Sequence, residues 1–433
     1  MVKLNLPTRP WVPQWLGIVT MFIVIFPITL LNGAYTGSMV EVSNTLGVLS
    51  EDITMAYYSA SVGMAVAYPI VPKIRTIATP KTLLLTDLLL QIFFSLVCAK
   101  TGSMDVIMVC SFCMGFLKAF VMLEFIILIR PLFSPKNVRS EFYAYFYPIV
   151  FSGGQLSMAI TAQLAYHYQW QHMYYFVTIL LLIAILFVIC FFRYARRPMH
   201  IPFKEMDGRS MFIIATAFLL TLYTFTYGKT LDWFPKIRVY VFVIPLLIAL
   251  FIHRQRTQGK PFVSLKPLFL HKSIIGYGFM VLAMFLTATS SLVTNYMNSI
   301  IRVDSIHANS LSLWLLPGYV VGAVICFWWF RWQRWRFRFL ISGGMFCYVI
   351  YLAILYFGIT PYGTYEMLYL PILFRGVGMM VIFIAFGVFV VEDLDPRLTL
   401  SNAFFLISFR SVLAPVLSAS FFNNMLYYLQ AKG

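Results

Sequence analysis

Acidic side chains are scarce in this 433-residue chain: 15 Asp and Glu face 32 Lys and Arg, and charged residues of every kind reach only 11%. A soluble domain of this size needs a polar shell that such a composition does not supply, so that class is excluded. Histidine is nearly as rare. The six, at positions 167, 172, 200, 253, 271 and 307, lie near loops and never at metal-ligand spacing. All six cysteines (Cys98, Cys110, Cys113, Cys190, Cys326 and Cys347) fall in apolar stretches. Cys110 and Cys113 have the spacing of a redox or zinc pair, but no second pair accompanies them, and packing is the better reading. There is no G-x-x-x-x-G-K loop, which removes a P-loop ATP-driven pump. No nucleophile triad or metal cluster offers itself to a membrane-embedded enzyme. Neither a cofactor nor a metal is expected.

What the chain has instead is apolar surface, with 61% hydrophobic and 18% aromatic residues. Thirteen apolar stretches follow one another, at 14–36, 53–71, 82–99, 105–129, 142–165, 172–192, 211–228, 239–252, 274–300, 310–330, 339–357, 366–391 and 399–425. A membrane-crossing helix takes about 20 such residues, and the eighth stretch alone is marginal. The pattern predicts an all-α polytopic membrane protein. Loops alternate between basic and charge-poor. With the N-terminus in the cytoplasm, 23 Lys and Arg fall in inner loops, six outside and three within spans. That bias predicts a cytoplasmic N-terminus, and it accounts for the net charge of +17 without a nucleic-acid partner. Lys3 and Arg9 precede a full-length span with no small-residue cleavage site, so the first helix is expected to be retained as a signal anchor.

Two basic connections stand at equivalent places. Pro72–Lys81 follows the second span, and Arg331-Trp-Gln-Arg-Trp-Arg-Phe-Arg338 follows the tenth, the second span of a second half beginning at the ninth. The Arg/Trp run reads as an interfacial anchor, with Trp at headgroup depth and Arg in the phosphate layer. The seventh and eighth spans, flanked by charged connectors at 193–209 and 253–272, read as an inserted pair. The expected organisation is a six-helix bundle over 1–197, the inserted pair with its connectors over 198–272, and a second bundle over 273–433.

Several motifs occur in order along nearly the whole chain. They are Gln169-Trp170-Gln-His-Met-Tyr-Tyr-Phe176, Leu231-Asp232-Trp233-Phe234, Pro261-Phe-Val-Ser-Leu-Lys-Pro-Leu-Phe-Leu-His-Lys272, Leu400-Ser-Asn402 and Phe409-Arg410-Ser-Val412. Together they resemble the major facilitator superfamily, specifically its fourteen-helix drug:proton antiporter branch. The resemblance implies two six-helix bundles rocking around a central cavity, plus two inserted helices. It implies proton-coupled export of a small amphipathic compound or drug across the inner membrane. In two-membraned bacteria it permits a periplasmic adaptor and an outer-membrane channel as partners. It also implies a fourteenth helix beyond Gly433, so a truncated transporter is the expectation. Departures touch the coupling chemistry. The family's G-x-L-a-D-r-x-G-r-R loop becomes Pro72–Lys81, with Thr76 in place of the Asp. The nearest polar group to the first helix's usual Asp is Asn32. The fourth helix's R-x-x-Q-G becomes Ser111-Phe-Cys-Met114-Gly115, without the arginine, and the fifth helix's G-P-x-x-G-G becomes Ser157–Ala162.

A charge near the bilayer centre costs roughly 2.5–3.5 kcal/mol, so each intramembrane ion is a functional candidate. Lys118 lies near mid-depth of the fourth span on almost the face of Ser111, and is expected to assume the lost arginine's cationic role. Glu124 is either the proton-titrating carboxylate or a partner of Arg130 or Lys136. Asp87 stands in the third span as a candidate or an interface brace. Arg375 and Arg410 lie near mid-depth of the twelfth and thirteenth spans. Three cations against few carboxylates predict a cavity of positive potential for an amphipathic or anionic substrate. Tyr35, Tyr57, Tyr58, Tyr143 and Tyr147 are its candidate aromatic lining. Lys73, Arg75 and Lys81 are the gating-loop candidates. Gly153 and Gly154 near Pro148, Gly63, and Pro317 with Gly318 offer bending points or close helix contacts. The leading expectation is a secondary-active, proton-coupled exporter. The alternative is a degenerate relative that binds ligand without coupled transport.

Overall fold

The computed structural model describes residues 6–134, 138–194, 207–228, 230, 236–259, 261–333, 336–360, 363–392, 394–395 and 398–432. The Leu231–Phe234 motif, the boundary at 197, and the basic residues Lys3, Lys136, Arg196, Arg197, Lys204, Lys229, Lys260, Arg334 and Arg397 lie outside them. Helices form where the apolar runs predict them. The first half holds α1 (Gln14–Leu30), α2 (Met39–Leu46), α3 (Ser50–Ala67), α4 (Val71–Ile77), α5 (Pro80–Lys100), α6 (Met104–Phe133), α7 (Arg139–His167) and α8 (His172–Phe191). Next come α9 (Gly208–Tyr227) and α10 (Lys236–Thr257). The second half holds α11 (His271–Ala288), α12 (Ser290–Tyr296), α13 (Ser305–Ser310), α14 (Leu315–Trp332), α15 (Phe337–Gly358), α16 (Tyr369–Glu392), α17 (Thr399–Ile407) and α18 (Ala414–Lys432). Ten helical stretches among the described residues are long and apolar enough to cross a membrane, and α1 is a shorter apolar helix. The chain is an all-α multi-pass membrane protein.

Three elements depart from the sequence expectation. The first span does not run to residue 36: α1 stops at Leu30, and Leu31–Tyr35 is non-helical before a 3-10 turn at Thr36–Ser38. Pro27 removes one ladder donor inside α1, and Asn32-Gly33 is a turn-forming pair. The carbonyls exposed there are taken up by other helices. Ser157 of α7 donates to Leu30 O (2.7 Å), Lys118 of α6 to Leu31 O (3.2 Å) and Tyr174 of α8 to Gly33 O (2.6 Å). The second departure is the eighth span, a full 22-residue helix. Its end carries Arg254 and Arg256, which interrupt the apolar pattern but suit a helix C-terminus. The third is Pro72–Lys81, which is not a loop. Pro72 opens α4, Thr79 caps α5 by accepting from Thr82 N–H (3.2 Å), and Pro80 takes the first position of α5.

Packing follows small residues. α3 and α6 cross so closely that a Cβ on Gly63 would lie 2.1 Å from Phe112 O, and one on Gly115 1.8 Å from Ala60 O. α16 is the central helix, with 89% of its apolar window buried against α7, α11, α14 and α15. α9 packs on α3, α10 and α18, and Tyr227 donates to Asp52 at the start of α3. α10 buries 11% of its window and turns most of its surface outward. Asp207 caps α9 and pairs with Arg254 at 3.0 Å, joining α9 to α10. Burial pushes the Asp207 carboxyl up, but hydrogen bonds from Ser210 and the Arg254 guanidinium outweigh it and hold the group below its ordinary value.

Gly63→Ala is expected to force α3 and α6 apart at a cost of roughly 1–3 kcal/mol. Gly154→Ala meets nothing within 4 Å and is expected to be neutral. Thermal unfolding of the purified variants in detergent checks the contrast; equal midpoints would contradict it.

Candidate functional site: a central cationic cavity

The two halves enclose a cavity of about 360 Å³. One side is formed by α1 and the segment after it, α3, α6 and α7. The other is formed by α11, α16, a π-helical turn at Ser408–Leu413 and the start of α18. Between the halves, Phe151 of α7 stacks on Phe383 of α16 at 5.2 Å, and Gln155 donates to the Tyr319 hydroxyl of α14 at 3.4 Å. At one end Asn309 donates to Gly37 O (3.2 Å), and at the other Arg331 pairs with Glu141 (3.4 Å). The halves thus touch above, beside and below the cavity.

Two cations line it, one from each half. Lys118 is the fifteenth of the 30 residues of α6, and the broken end of α1 supplies its acceptor, Leu31 O. Carbonyls at a helix C-terminus carry partial negative charge, so an ammonium group is well placed there. Arg410 sits in the π-helical turn, a local expansion that often marks functional positions. Its guanidinium lies 5.6 Å from the rings of Tyr147 and Phe151 and 5.8 Å from Phe383, within cation–π range. Its Nε donates to Ser411 Oγ at 3.4 Å. No carboxylate lines the cavity among the described residues. Tyr35, Tyr57 and Tyr58 contribute hydroxyl-bearing walls, and Met64, Met122, Met158, Met284 and Met379 contribute flexible apolar ones.

The profile of the Major Facilitator Superfamily matches residues 20–419. The chain belongs to that superfamily. This facilitator is therefore a secondary transporter, and the match is to the superfamily as a whole rather than to the fourteen-helix branch. Similar solved structures include the nucleoside transporter NupG as its D323A mutant, with 13% identity, a TM-score of 0.57 and coverage of 93% of this chain and 90% of that one. The human organic anion transporter MFSD10 (TETRAN) is similar with 14% identity, a TM-score of 0.53 and coverage of 94% and 93%. No curated protein matches the sequence. At such identities the likeness is one of fold.

The facilitator brings some candidate residues together and separates others. Lys118, Arg410, Asn32 and Gly154 share the cavity, with Tyr35, Tyr57 and Tyr58. Tyr143 and Tyr147 stack on each other at 5.4 Å outside its lining, where Tyr147 supports Arg410. Arg375 is not a lining residue; it lies beside Tyr319 and Tyr348, with its Nε buried and lacking a hydrogen-bond partner. Glu124 is fully buried, and of its two expected partners Lys136 lies outside the described residues. It accepts from Arg75 Nε at 2.6 Å, a partner that the fold brings in because α4 packs back over α6. Lys73 stands half-buried on α4. Lys81 belongs to α5, where its ammonium caps α8 by donating to Ile189 O (3.0 Å) and Phe192 O (2.8 Å).

Asp87 is buried away from the cavity and accepts from Gln91 at 2.7 Å. Gly153 meets Thr29, where an added Cβ would lie 2.3 Å from its Cβ. A Cβ on Gly318 would lie 2.6 Å from Leu373 O, and Pro317 lies in the first turn of α14. Cys110 lies near Cys98 of α5 as well as near Cys113. Sequence reasoning missed Thr29, Gln155, Ser411 and the five methionines. Polar residues inside apolar spans flag the first three; the methionines carry no such mark.

A double-mutant cycle with Arg75→Leu and Glu124→Leu is expected to give a favourable coupling of about 0.5–3 kcal/mol, the range for residues in direct contact. Unfolding free energies of the two singles and the double measure it. Strict additivity would show that the pair does not act as one.

Proposed function

We propose that this facilitator exports small amphipathic compounds from the cytoplasm by alternating access, energised by the proton-motive force. In this reading it lies in the inner membrane with its N-terminus cytoplasmic. The observation that carries it is the cavity itself. It lies between the halves, is lined by both, mixes mid-helix cations with tyrosine and methionine walls, and is bounded at each end by a side-chain hydrogen bond between halves. Ligand sites of secondary transporters are built at such interfaces from interrupted helices. Here α1 breaks at Leu31 and the thirteenth span passes through a π-helical turn at the cavity wall. Export, rather than import, is favoured by the motifs shared with the fourteen-helix branch. Among the described residues, the carboxylate that a drug:proton antiporter would titrate has no counterpart in the lining, and Glu124 is engaged by Arg75 outside it.

Cells producing this chain are expected to extrude an amphipathic dye, to stop when an uncoupler collapses the proton-motive force, and to lose at least tenfold in rate on Lys118→Ala. Unchanged extrusion by that variant would remove Lys118 from the site. Dye binding without gradient-dependent flux would favour a ligand-binding relative that does not transport.

A further inference from the structure

We infer that the cargo is an amphipathic organic anion whose acidic group is held between Lys118 and Arg410, and that its own charge couples export to the membrane potential. The inference rests on the transport reading above and adds the sign of the cargo and the component of the driving force.

The charge balance of the cavity points to the sign. Its charged lining residues among the described ones are Lys118 and Arg410, and neither has a carboxylate partner there. Lys118 rests on a backbone carbonyl, and Arg410 on three aromatic rings and a serine hydroxyl. Cations removed from water need compensation, and an acidic group lying between them supplies it to both at once. A lipophilic cation in the same place meets two like charges instead. The methionine walls accept an apolar body of variable shape, as flexible thioether side chains do at promiscuous surfaces.

The same inventory bears on energy coupling. Proton antiport needs a group whose protonation competes with cargo, as a carboxylate does for a cation. Among the described residues, the ionisable groups facing this cavity are Lys118, Arg410, Tyr35, Tyr57 and Tyr58. Arginine stays charged. Protonation of Lys118 helps an anion to bind rather than opposing it, so proton and cargo would travel in the same direction. With Lys118 charged throughout, both cations return with the carrier and the net charge moved per cycle is that of the cargo. A monoanion leaving a negative interior then gains about a 50-fold concentration ratio, equivalent to ~2.3 kcal/mol for one charge crossing 100 mV.

The full chain in proteoliposomes, loaded with 8-anilinonaphthalene-1-sulfonate or with the cation rhodamine 6G, tests this against empty liposomes. The sulfonate keeps its single charge at any working pH. An interior-negative potassium diffusion potential is expected to speed its release, and a pH gradient at zero potential to leave release unchanged. Rhodamine 6G is expected to stay. Lys118→Met and Arg410→Met should each slow sulfonate release at least tenfold while thermal unfolding shows them folded, and Lys118→Arg should retain it. Sulfonate release driven by the pH gradient alone, or unaffected by either methionine variant, overturns the proposal. Transport of rhodamine 6G in place of the sulfonate overturns it and leaves the transporter reading standing. Absence of flux for both dyes, with no extrusion from cells, brings down the transporter reading and the proposal with it.

Discussion

A bilayer offers no water to a backbone carbonyl whose helix has ended, and this constraint organises the first half of the molecule. α1 gives out at Leu30, inside the apolar region, and three of the carbonyls that follow need donors. They receive them from three different helices: Ser157 of α7, Lys118 of α6 and Tyr174 of α8. The break thus ties α1 into the bundle, fixes where the α6 ammonium can sit, and opens the wall where Asn32 and Tyr35 reach the cavity. Gly33 permits the approach, since a Cβ there would fall 1.8 Å from Ser111 Oγ.

Away from the cavity, charges serve the frame. Arg75 and Glu124 join α4 to α6, while Lys81 and Arg9 serve the end of α8, each donating to Ile189 O. Such pairs contribute less to net stability than their Coulomb attraction suggests, because desolvation offsets it. Their value lies in fixing which helix end meets which. Arg9, Arg75 and Lys81 thus hold carbonyls or a carboxylate at helix ends, while Lys118 and Arg410 at mid-span face the cavity.

Much of this was legible in the chain. Apolar runs gave the membrane helices because length and hydrophobicity are local properties. The rarity of intramembrane charge singled out Lys118 and Arg410, which line the cavity. Arg375 carried the same signal yet lies outside the lining, because mid-span position fixes depth but not the direction a side chain takes around its helix. Arg75, 49 residues before Glu124, was not legible as its partner, because only the fold-back of α4 brings the two together. The methionine walls were invisible, since a Met in an apolar span looks like any other packing residue. The end of α1 was marked by Asn32-Gly33, a turn signal that the surrounding apolar run obscured.

The crossing of α3 and α6 has a mechanical consequence. Where two helices meet through glycines at backbone contact, neither has side chains that can slide past the other, and the pair behaves as one stiff beam. Lys118 and Met122 on α6 therefore share a rigid frame with Tyr57, Tyr58 and Met64 on α3. The other half meets this one through the flat ring pair of Phe151 and Phe383, and because the Arg410 guanidinium rests on both rings, any sliding at that joint carries the cation with it.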